Sequence, residues 1–121
     1  MARILLVEDD APLRKLASTV LQQEGHEVVS VDDGRGALMA LIDQRGGPFA
    51  VMVLDLMMPW IDGWQVLEGL REDHPKVIVI TANEDPEAEK KARQTGNVFS
   101  FFVKPYDPEG LVAEVKAALA G

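Results

Sequence analysis

The sequence contains no cysteine, which excludes disulfide frameworks, thiolate zinc sites and cysteine nucleophiles. It has no apolar run near the roughly 18 residues that a membrane span needs, and its start lacks a signal-peptide pattern. Basic residues are few, 12 against 20 acidic ones, and the net charge of −8 disfavours binding to duplex DNA. We therefore expect a cytoplasmic protein without membrane or direct nucleic-acid contact, whose chemistry rests on carboxylates, hydroxyls or lysine.

What the sequence does contain is an alternation of two apolar patterns. Its 121 residues, 47% of them hydrophobic, suit one domain over 1–121. Five apolar runs have the length of strands: 3–8, 27–31, 50–55, 76–81 and 98–103. Stretches between and after them carry apolar residues at helical spacing, at Leu13, Leu16, Ala17, Val20 and Leu21, at Leu38, Leu41 and Ile42, at Val66, Leu67 and Leu70, and at Leu111, Val115, Ala118 and Leu119.

This alternation predicts the fold class. Near-continuous apolar strands indicate a parallel sheet that helices cover on both faces. Because crossovers are right-handed, the pattern favours an α/β, doubly wound (βα)5 three-layer sandwich of flavodoxin type, with strand order 2-1-3-4-5.

Polar side chains lie at the ends of four predicted strands. Strand 1 ends in Glu8, Asp9 and Asp10, and strand 3 ends in Asp55. Strands 4 and 5 end in Thr81 and in Lys104-Pro105. These four strands are neighbours in the predicted order, and ligands of such sheets bind at the carboxyl ends of the strands. We therefore expect the four groups to converge in one cleft.

Converging carboxylates need a cation, because two unit charges about 4 Å apart repel by roughly 4 kcal/mol at an effective dielectric constant near 20. Mg²⁺ suits oxygen ligands and leaves coordination positions for a phosphoryl group. Lys104 supplies a further positive charge, and the Thr81 hydroxyl can donate a hydrogen bond. Asp55, at the end of the central strand, is then the best candidate for a nucleophile that forms an aspartyl phosphate.

Four sequence blocks together resemble the signature of response-regulator receiver domains from two-component systems, over about residues 3–119. The blocks are Ile4-Leu5-Leu6-Val7-Glu8-Asp9-Asp10, Asp55-Leu56-Met57-Met58-Pro59-Trp60-Ile61-Asp62-Gly63, Thr81-Ala82 and Lys104-Pro105. The resemblance implies that Asp55 receives a phosphoryl group, with Mg²⁺, from a sensor histidine kinase or phosphotransfer protein. The α4-β5-α5 face would then switch for a downstream effector domain or protein. Such a domain is not an enzyme, although it assists its own phosphorylation and slow dephosphorylation.

The resemblance also implies a role for each site residue. Asp9 and Asp55 would bind the metal directly, the backbone carbonyl of Met57 would join them, and Glu8 would act through water. Thr81 and Lys104 would bind the phosphoryl group, and Thr81 and Phe101 would form the switch, with Phe99 or Phe102 as alternatives to Phe101. The Lys104-Pro105 bond would be cis.

Residues 96–104 form a segment one residue longer than the family pattern, so we expect a bulge or a longer loop there. Residues 85–95 offer little apolar surface beyond Ala88 and Ala92, and we expect this helix to be weakly held and to move on activation. Glu114 stands where arginine is usual in the dimers of winged-helix regulators, which disfavours that dimer. A monomer or a weak, phosphorylation-dependent dimer is expected.

The main alternative is a degenerate receiver that binds partners without phosphorylation. Dehalogenase-type phosphatases and toprim enzymes are disfavoured because their second acid is replaced here by Met57. A flavin binder is disfavoured because acids, not Ser or Thr, follow strand 1. Asp10 and Asp62 are interpreted as helix caps, and Trp60 and Trp64 as packing residues.

Overall fold

The computed structural model describes residues 2–43, 46–57, 63–68, 70, 75–82, 85–95 and 98–120. Within them strands and helices alternate. The strands are β1 (Arg3–Val7), β2 (Glu27–Val31), β3 (Val51–Asp55), β4 (Lys76–Thr81) and β5 (Val98–Val103). The helices are α1 (Ala11–Gln23), α2 (Gly34–Ile42), α3 (Gly63–Glu68), α4 (Pro86–Gln94) and α5 (Pro108–Ala120).

The five strands form one parallel sheet in the order β2-β1-β3-β4-β5, which confirms the predicted topology. Three of the five strands have the predicted limits, while β1 ends one residue earlier and β3 begins one residue later than predicted. All five residues of β3 are buried, as expected for the centre of a sheet with helices on both faces. The carboxyl ends of β1, β3, β4 and β5 therefore lie side by side.

Two apolar clusters cover the two faces of the sheet and form its outer layers. On one face, α2, α3 and α4 contribute Ala37, Val66, Leu67 and Ala92. On the other face, α1 and α5 contribute Ala17, Leu21, Leu111, Val115 and Ala118. This confirms the three-layer architecture. No helix within the described ranges combines the length and the apolar character needed to cross a bilayer.

Three residues of the predicted apolar helix stripes do not lie in the core, and one of them is Leu119 near the end of α5, which is 37% exposed. The Leu16 side chain is 46% exposed, because α1 turns the next residue, Ala17, and then Leu21 toward the sheet. Ile42 is the last residue of α2 and is 81% exposed. For these three residues the pattern of helical spacing gave the wrong face.

The extra residue before Lys104 forms a bulge in β5. Val77 pairs with Val98, but the next residue, Ile78, pairs with Ser100, so Phe99 has no partner of its own on β4. Phe99 and Ser100 consequently both face the α1 and α5 layer. The bulge confirms the sequence prediction for this segment and locates the insertion at Phe99.

In the described part of the chain, four helices begin directly after an aspartate whose side chain accepts a backbone hydrogen bond, at Asp10, Asp33, Asp85 and Asp107. Asp10 Oδ1 accepts from the Leu13 amide at 3.1 Å, so the cap interpretation of Asp10 is confirmed. Asp62 and Trp60 lie outside the described residues. The cap at Asp10 sets the first turn of α1 directly beyond the acidic end of β1.

Candidate functional site

The buried polar side chains of the described core lie at the carboxyl ends of the strands. Glu8, Asp55 and Thr81 are 0%, 1% and 0% exposed. The Lys104 ammonium lies 2.9 Å from Asp55 Oδ2 and 2.7 Å from Glu8 Oε1. The structure thus brings residues from β1, β3 and β5 into direct contact, although 96 positions separate Glu8 from Lys104 in the chain.

Both oxygens of the Asp55 carboxylate have a partner. Oδ1 accepts a hydrogen bond from the Met57 amide at 2.9 Å, and Oδ2 accepts one from Lys104 Nζ at 2.9 Å. The intervening Leu56 amide donates to the carbonyl of Ile80 on β4, which fixes the turn that follows Asp55. These contacts set the orientation of the carboxylate at the end of the central strand.

Glu8 is less well accommodated. Its Oε2 accepts from the Asp10 amide at 3.3 Å, while Oε1 pairs with Lys104 but makes no hydrogen bond of good geometry within the described residues. Burial, and then the neighbouring Asp55 carboxylate, raise the pKa of Glu8 from 4.5 to about 8, against the opposing effect of Lys104. Without a metal, therefore, Glu8 binds a proton at neutral pH.

Lys104 is held both by its backbone and by its side chain. Its amide donates to the Thr81 carbonyl at 2.7 Å, and the Lys104-Pro105 bond is cis, as the resemblance implied. Burial lowers the pKa of Lys104, but contacts with Glu8 and Asp55 outweigh burial and leave the pKa above its usual value. Lys104 is therefore a permanent positive charge in the site.

Three carboxylates of the site have the arrangement of a cation-binding group. Glu8, Asp9 and Asp55 each offer an oxygen, and these oxygens lie within 4.8 Å of one another. Asp9 is exposed, so it lies at the mouth of the site, while the other two are buried. All three donors are hard oxygens, and Glu8 Oε1 still lacks a well-formed hydrogen bond. The donor set fits Mg²⁺, which prefers such ligands.

The structure also positions the remaining predicted residues. Thr81 is buried and lies one residue beyond Ile80, the β4 partner of Asp55. Met57 directs its amide to Asp55, while its side chain is 55% exposed. Phe101 packs on the α4 face of the sheet, whereas Phe99 and Phe102 pack on the opposite face. Of these three aromatic residues, Phe101 is the one on the same side as α4.

Sequence reasoning missed the role of Arg14. Its Nη1 donates to the Glu8 carbonyl at 2.9 Å and lies 3.5 Å from the Asp9 carbonyl. The contact joins the first turn of α1 to the acidic end of β1. Nothing in the sequence indicated this, because the partners of Arg14 are backbone oxygens.

Gly63 was part of a recognised block, but its physical role emerges only from the structure. A Cβ at this position would collide with the Asp55 carbonyl oxygen and with Leu56 Cα. The Gly63 amide donates to the Leu56 carbonyl at 3.1 Å. Glycine therefore lets the start of α3 approach the backbone that carries Asp55, and a side chain here would displace the site.

The fold and site together define a class of CheY-like signalling domains. The chain superposes on chemotaxis protein CheY4 of Vibrio cholerae with a TM-score of 0.86, at 29% identity and 98% coverage of both chains. The BeF3-activated receiver domain of DrrB from Thermotoga maritima gives a TM-score of 0.87, at 30% identity, over 100% of this chain and 99% of that one.

The particular family follows from the sequence comparison. The family model for the response regulator receiver domain matches residues 4–116, so the chain belongs to this family and is a receiver domain of two-component signalling. It is 32% identical to the transcriptional regulatory protein PcoR of Escherichia coli, over 98% of this chain and 52% of PcoR. It is 35% identical to TcrA of Mycobacterium tuberculosis, over 95% of this chain and 45% of TcrA. The chain spans about half the length of these relatives.

Proposed function

We propose that Asp55 is the phosphoacceptor of this receiver domain. The observation that carries the proposal is the carboxylate of Asp55, which is buried at the sheet centre and bound by Lys104 and the Met57 amide. Glu8 is a poorer candidate because its Oε1 lacks, within the described residues, a well-formed hydrogen bond that would orient it, whereas both oxygens of Asp55 have one. Asp9 is exposed and lies at the mouth, where it suits a metal ligand better than a nucleophile.

In the proposed step a carboxylate oxygen of Asp55 attacks the phosphorus of a phosphohistidine on a sensor kinase or phosphotransfer protein. The new O–P bond forms as the P–N bond breaks, and the departing imidazole takes up a proton from water. Lys104 is already at Asp55 and keeps its proton, so it would pair with a phosphoryl oxygen. Thr81 would donate its hydroxyl to another. Slow self-dephosphorylation would follow by attack of water on phosphorus.

The proposal includes a Mg²⁺ site. Asp9, Asp55 and the Met57 backbone carbonyl would be its direct protein ligands, and Glu8 would act through water. The support is the cluster of carboxylate oxygens within 4.8 Å. When bound, the ion would offset negative charge on the carboxylates and the phosphoryl oxygens. Glu8 would release its proton on metal binding, since an ionised carboxylate is the form that a cation stabilises.

We further propose that Thr81 and Phe101 carry the signal to the α4-β5-α5 face. Thr81 ends β4, and Phe101 packs on the same side of the sheet as α4. The buried side chains of α4 are Ala88 and Ala92, which attach the helix with little apolar surface. A pull on Thr81 and a turn of Phe101 would therefore shift α4 and β5 between two packings.

The partners of the domain follow from this chemistry. A phosphohistidine donor and a downstream effector domain or protein are proposed, and the latter is supported by relatives that are transcriptional regulatory proteins about twice as long. Direct binding of this chain to nucleic acid is not expected, given its net charge of −8. A cytoplasmic location and a monomer or weak phosphorylation-dependent dimer complete the proposal.

The test is intact mass after incubation with a small acyl phosphate, with and without Mg²⁺. We expect one phosphoryl adduct that requires the metal and is absent in Asp55→Ala, because no other carboxylate of the described residues contacts both Lys104 and the Met57 amide. Asp33→Asn is the matched control, because Asp33 caps α2 and is not part of the site. An adduct in Asp55→Ala would refute the assignment. No adduct on a folded, Mg²⁺-binding wild type would indicate the degenerate receiver instead.

A further inference from the structure

The acidic end of β1 depends on side-chain contacts from α1. The Glu8 amide donates to the Val31 carbonyl of β2 at 3.1 Å, which continues the sheet by one hydrogen bond. The Glu8 carbonyl lies beyond the last paired residue of β1, Val7, and it accepts from Arg14 Nη1 at 2.9 Å. Arg14 thus supplies a donor at the point where the sheet ends.

Arg14 contacts this segment at more than one point. Its own amide donates to the Asp10 carbonyl at 2.8 Å, as the first helical bond of α1. Its guanidinium reaches the Glu8 carbonyl and, at the 3.5 Å limit of hydrogen bonding, the Asp9 carbonyl. Both contacts come from Nη1, which carries two N–H donors whose directions are fixed by the planar guanidinium. The peptide groups that orient two of the three clustered carboxylates are therefore held by one side chain.

Arg14 has two opposite effects on a cation in this cluster. Its positive charge repels a second cation, so removing the charge alone would strengthen metal binding. Its hydrogen bonds fix the backbone of Glu8 and Asp9, so removing them would let the carboxylates spread and weaken metal binding. The sign of the change in affinity thus distinguishes a simple surface charge from a structural support.

We propose that Arg14 is a positioning residue for the divalent-cation site, and that its support of the Glu8–Asp9 backbone outweighs its charge. This inference rests on the proposed function, because it requires the cluster of Glu8, Asp9 and Asp55 to bind Mg²⁺. Arg14 itself touches neither the metal nor the phosphoryl group. It acts through the backbone of the residues that do.

The test is calorimetric titration of MgCl₂ into wild type, Arg14→Gln, Arg14→Lys and Arg35→Gln. Arg35 is exposed on α2, so its variant removes the same charge from a different helix. We expect Arg14→Gln to weaken Mg²⁺ binding roughly 10-fold, in the range found for groups that orient metal ligands. Arg14→Lys, which keeps the charge but ends one bond short of the position of Nη1, should also weaken binding. Arg35→Gln should leave affinity unchanged or slightly stronger.

A second readout separates positioning from general damage. In Arg14→Gln, the Mg²⁺ concentration for half-maximal phosphorylation by a small acyl phosphate should rise by the same factor. The rate at saturating Mg²⁺ should stay near that of wild type, because Asp55, Thr81 and Lys104 are intact. Thermal unfolding of each variant in EDTA shows that the metal-free fold is retained.

The outcomes are distinct. Equal or tighter Mg²⁺ binding in Arg14→Gln would overturn the inference and show that charge dominates, while phosphorylation of wild type would leave the proposed function standing. Equal weakening in Arg14→Gln and Arg35→Gln would overturn it as well, by showing a non-local effect. Unaltered binding in Arg14→Lys beside weakened binding in Arg14→Gln would still support the inference, because loss of a positive charge cannot weaken cation binding and the ammonium would then serve the same carbonyls. Absence of Mg²⁺ binding in wild type would instead refute the proposed metal site, and the inference with it.

Discussion

Leu54 and Asp55 are consecutive residues of β3, and both are buried, yet their surroundings are opposite. Leu54 packs in a wholly apolar cluster with residues such as Leu5 and Val79. Asp55 contacts Lys104 and lies in a cluster with two other carboxylates. The body of β3 is thus apolar on both faces, while its carboxyl end carries buried charge.

The difference shows which part of the strand stabilises the fold and which part does not. Fully burying a leucine side chain contributes roughly 1.5–3 kcal/mol. Grouping buried carboxylates around one lysine gives no such gain, because removal from water offsets most of the attraction within an ion pair. The strand bodies therefore stabilise the fold, and the carboxyl ends hold a site that a cation would complete.

The largest expected effect is a difference in the free energy of unfolding between substitutions at these two adjacent positions. Leu54→Ala should lower the free energy of unfolding by about 2–5 kcal/mol, because it leaves a cavity among apolar neighbours. Asp55→Asn should change it by about 1 kcal/mol or less in either direction in the metal-free protein, because Lys104 keeps Glu8 as a partner and the pKa of Glu8 falls once the neighbouring carboxylate is removed. Urea unfolding in EDTA measures both. Equal losses would mean that the site stabilises the fold as the core does.

A smaller effect concerns pH and the carboxyl ends alone. The pKa of Glu8 is about 8 in the folded protein and 4.5 for the free side chain, so between these values the folded state binds more protons than the unfolded one. The free energy of unfolding therefore falls as pH rises through this window. Thermal unfolding in EDTA, from about pH 5 to about pH 8, should show a falling Tm in wild type.

Glu8→Gln is the control for this profile, because it removes the titration and keeps the shape. Its Tm should be flatter over the same range. His26 acts in the opposite direction, since burial lowers its pKa and its protonation destabilises the fold as pH falls. That contribution is common to both proteins and cancels in their difference. Identical profiles for wild type and Glu8→Gln would refute the raised pKa of Glu8.

The parts of the structure that could be predicted from the sequence are the strand order and the groups at the carboxyl ends of the strands. Strand order was predictable because apolar runs mark buried strands, and the handedness of crossovers leaves few topologies. The convergence of Glu8, Asp55 and Lys104 followed from that order, since each lies at the carboxyl end of a strand or one residue beyond it. Predicting this cluster required only the strand order and no knowledge of side-chain contacts.

The structural features that could not be predicted depend on how closely the backbone segments of the chain approach one another. Arg14 binds a carbonyl oxygen, which every residue possesses, so no residue pattern marks its target. The exposure of Leu16 and Ile42 depends on how far each helix rotates toward the sheet. The length of the segment before Lys104 predicted an irregularity, but the choice of Phe99 required the observed pairing with β4.

The smallest expected effect extends the comparison from the strands to the helices beside β5. The α5 helix buries Leu111, Val115 and Ala118, while α4 buries two alanines, Ala88 and Ala92. At roughly 0.8 kcal/mol for each buried methyl-sized group, α4 gains several kcal/mol less from burial than α5. Amide hydrogen exchange should therefore be faster in residues 86–94 than in residues 108–120.

One contact adds to this weak attachment, and its removal tests whether α4 opens alone. Lys91 Nζ lies 4.6 Å from the ring centroid of Trp64 on α3, an interaction worth about 0.5–1 kcal/mol when exposed. Lys91→Gln should speed exchange in α4 roughly two- to fivefold and leave α5 unchanged, because the loss affects local opening and not global unfolding. Lys90→Gln is the matched control, since Lys90 is exposed on the same helix. Equal acceleration in α4 and α5 would show that both helices open together, and α4 could not then move separately on activation.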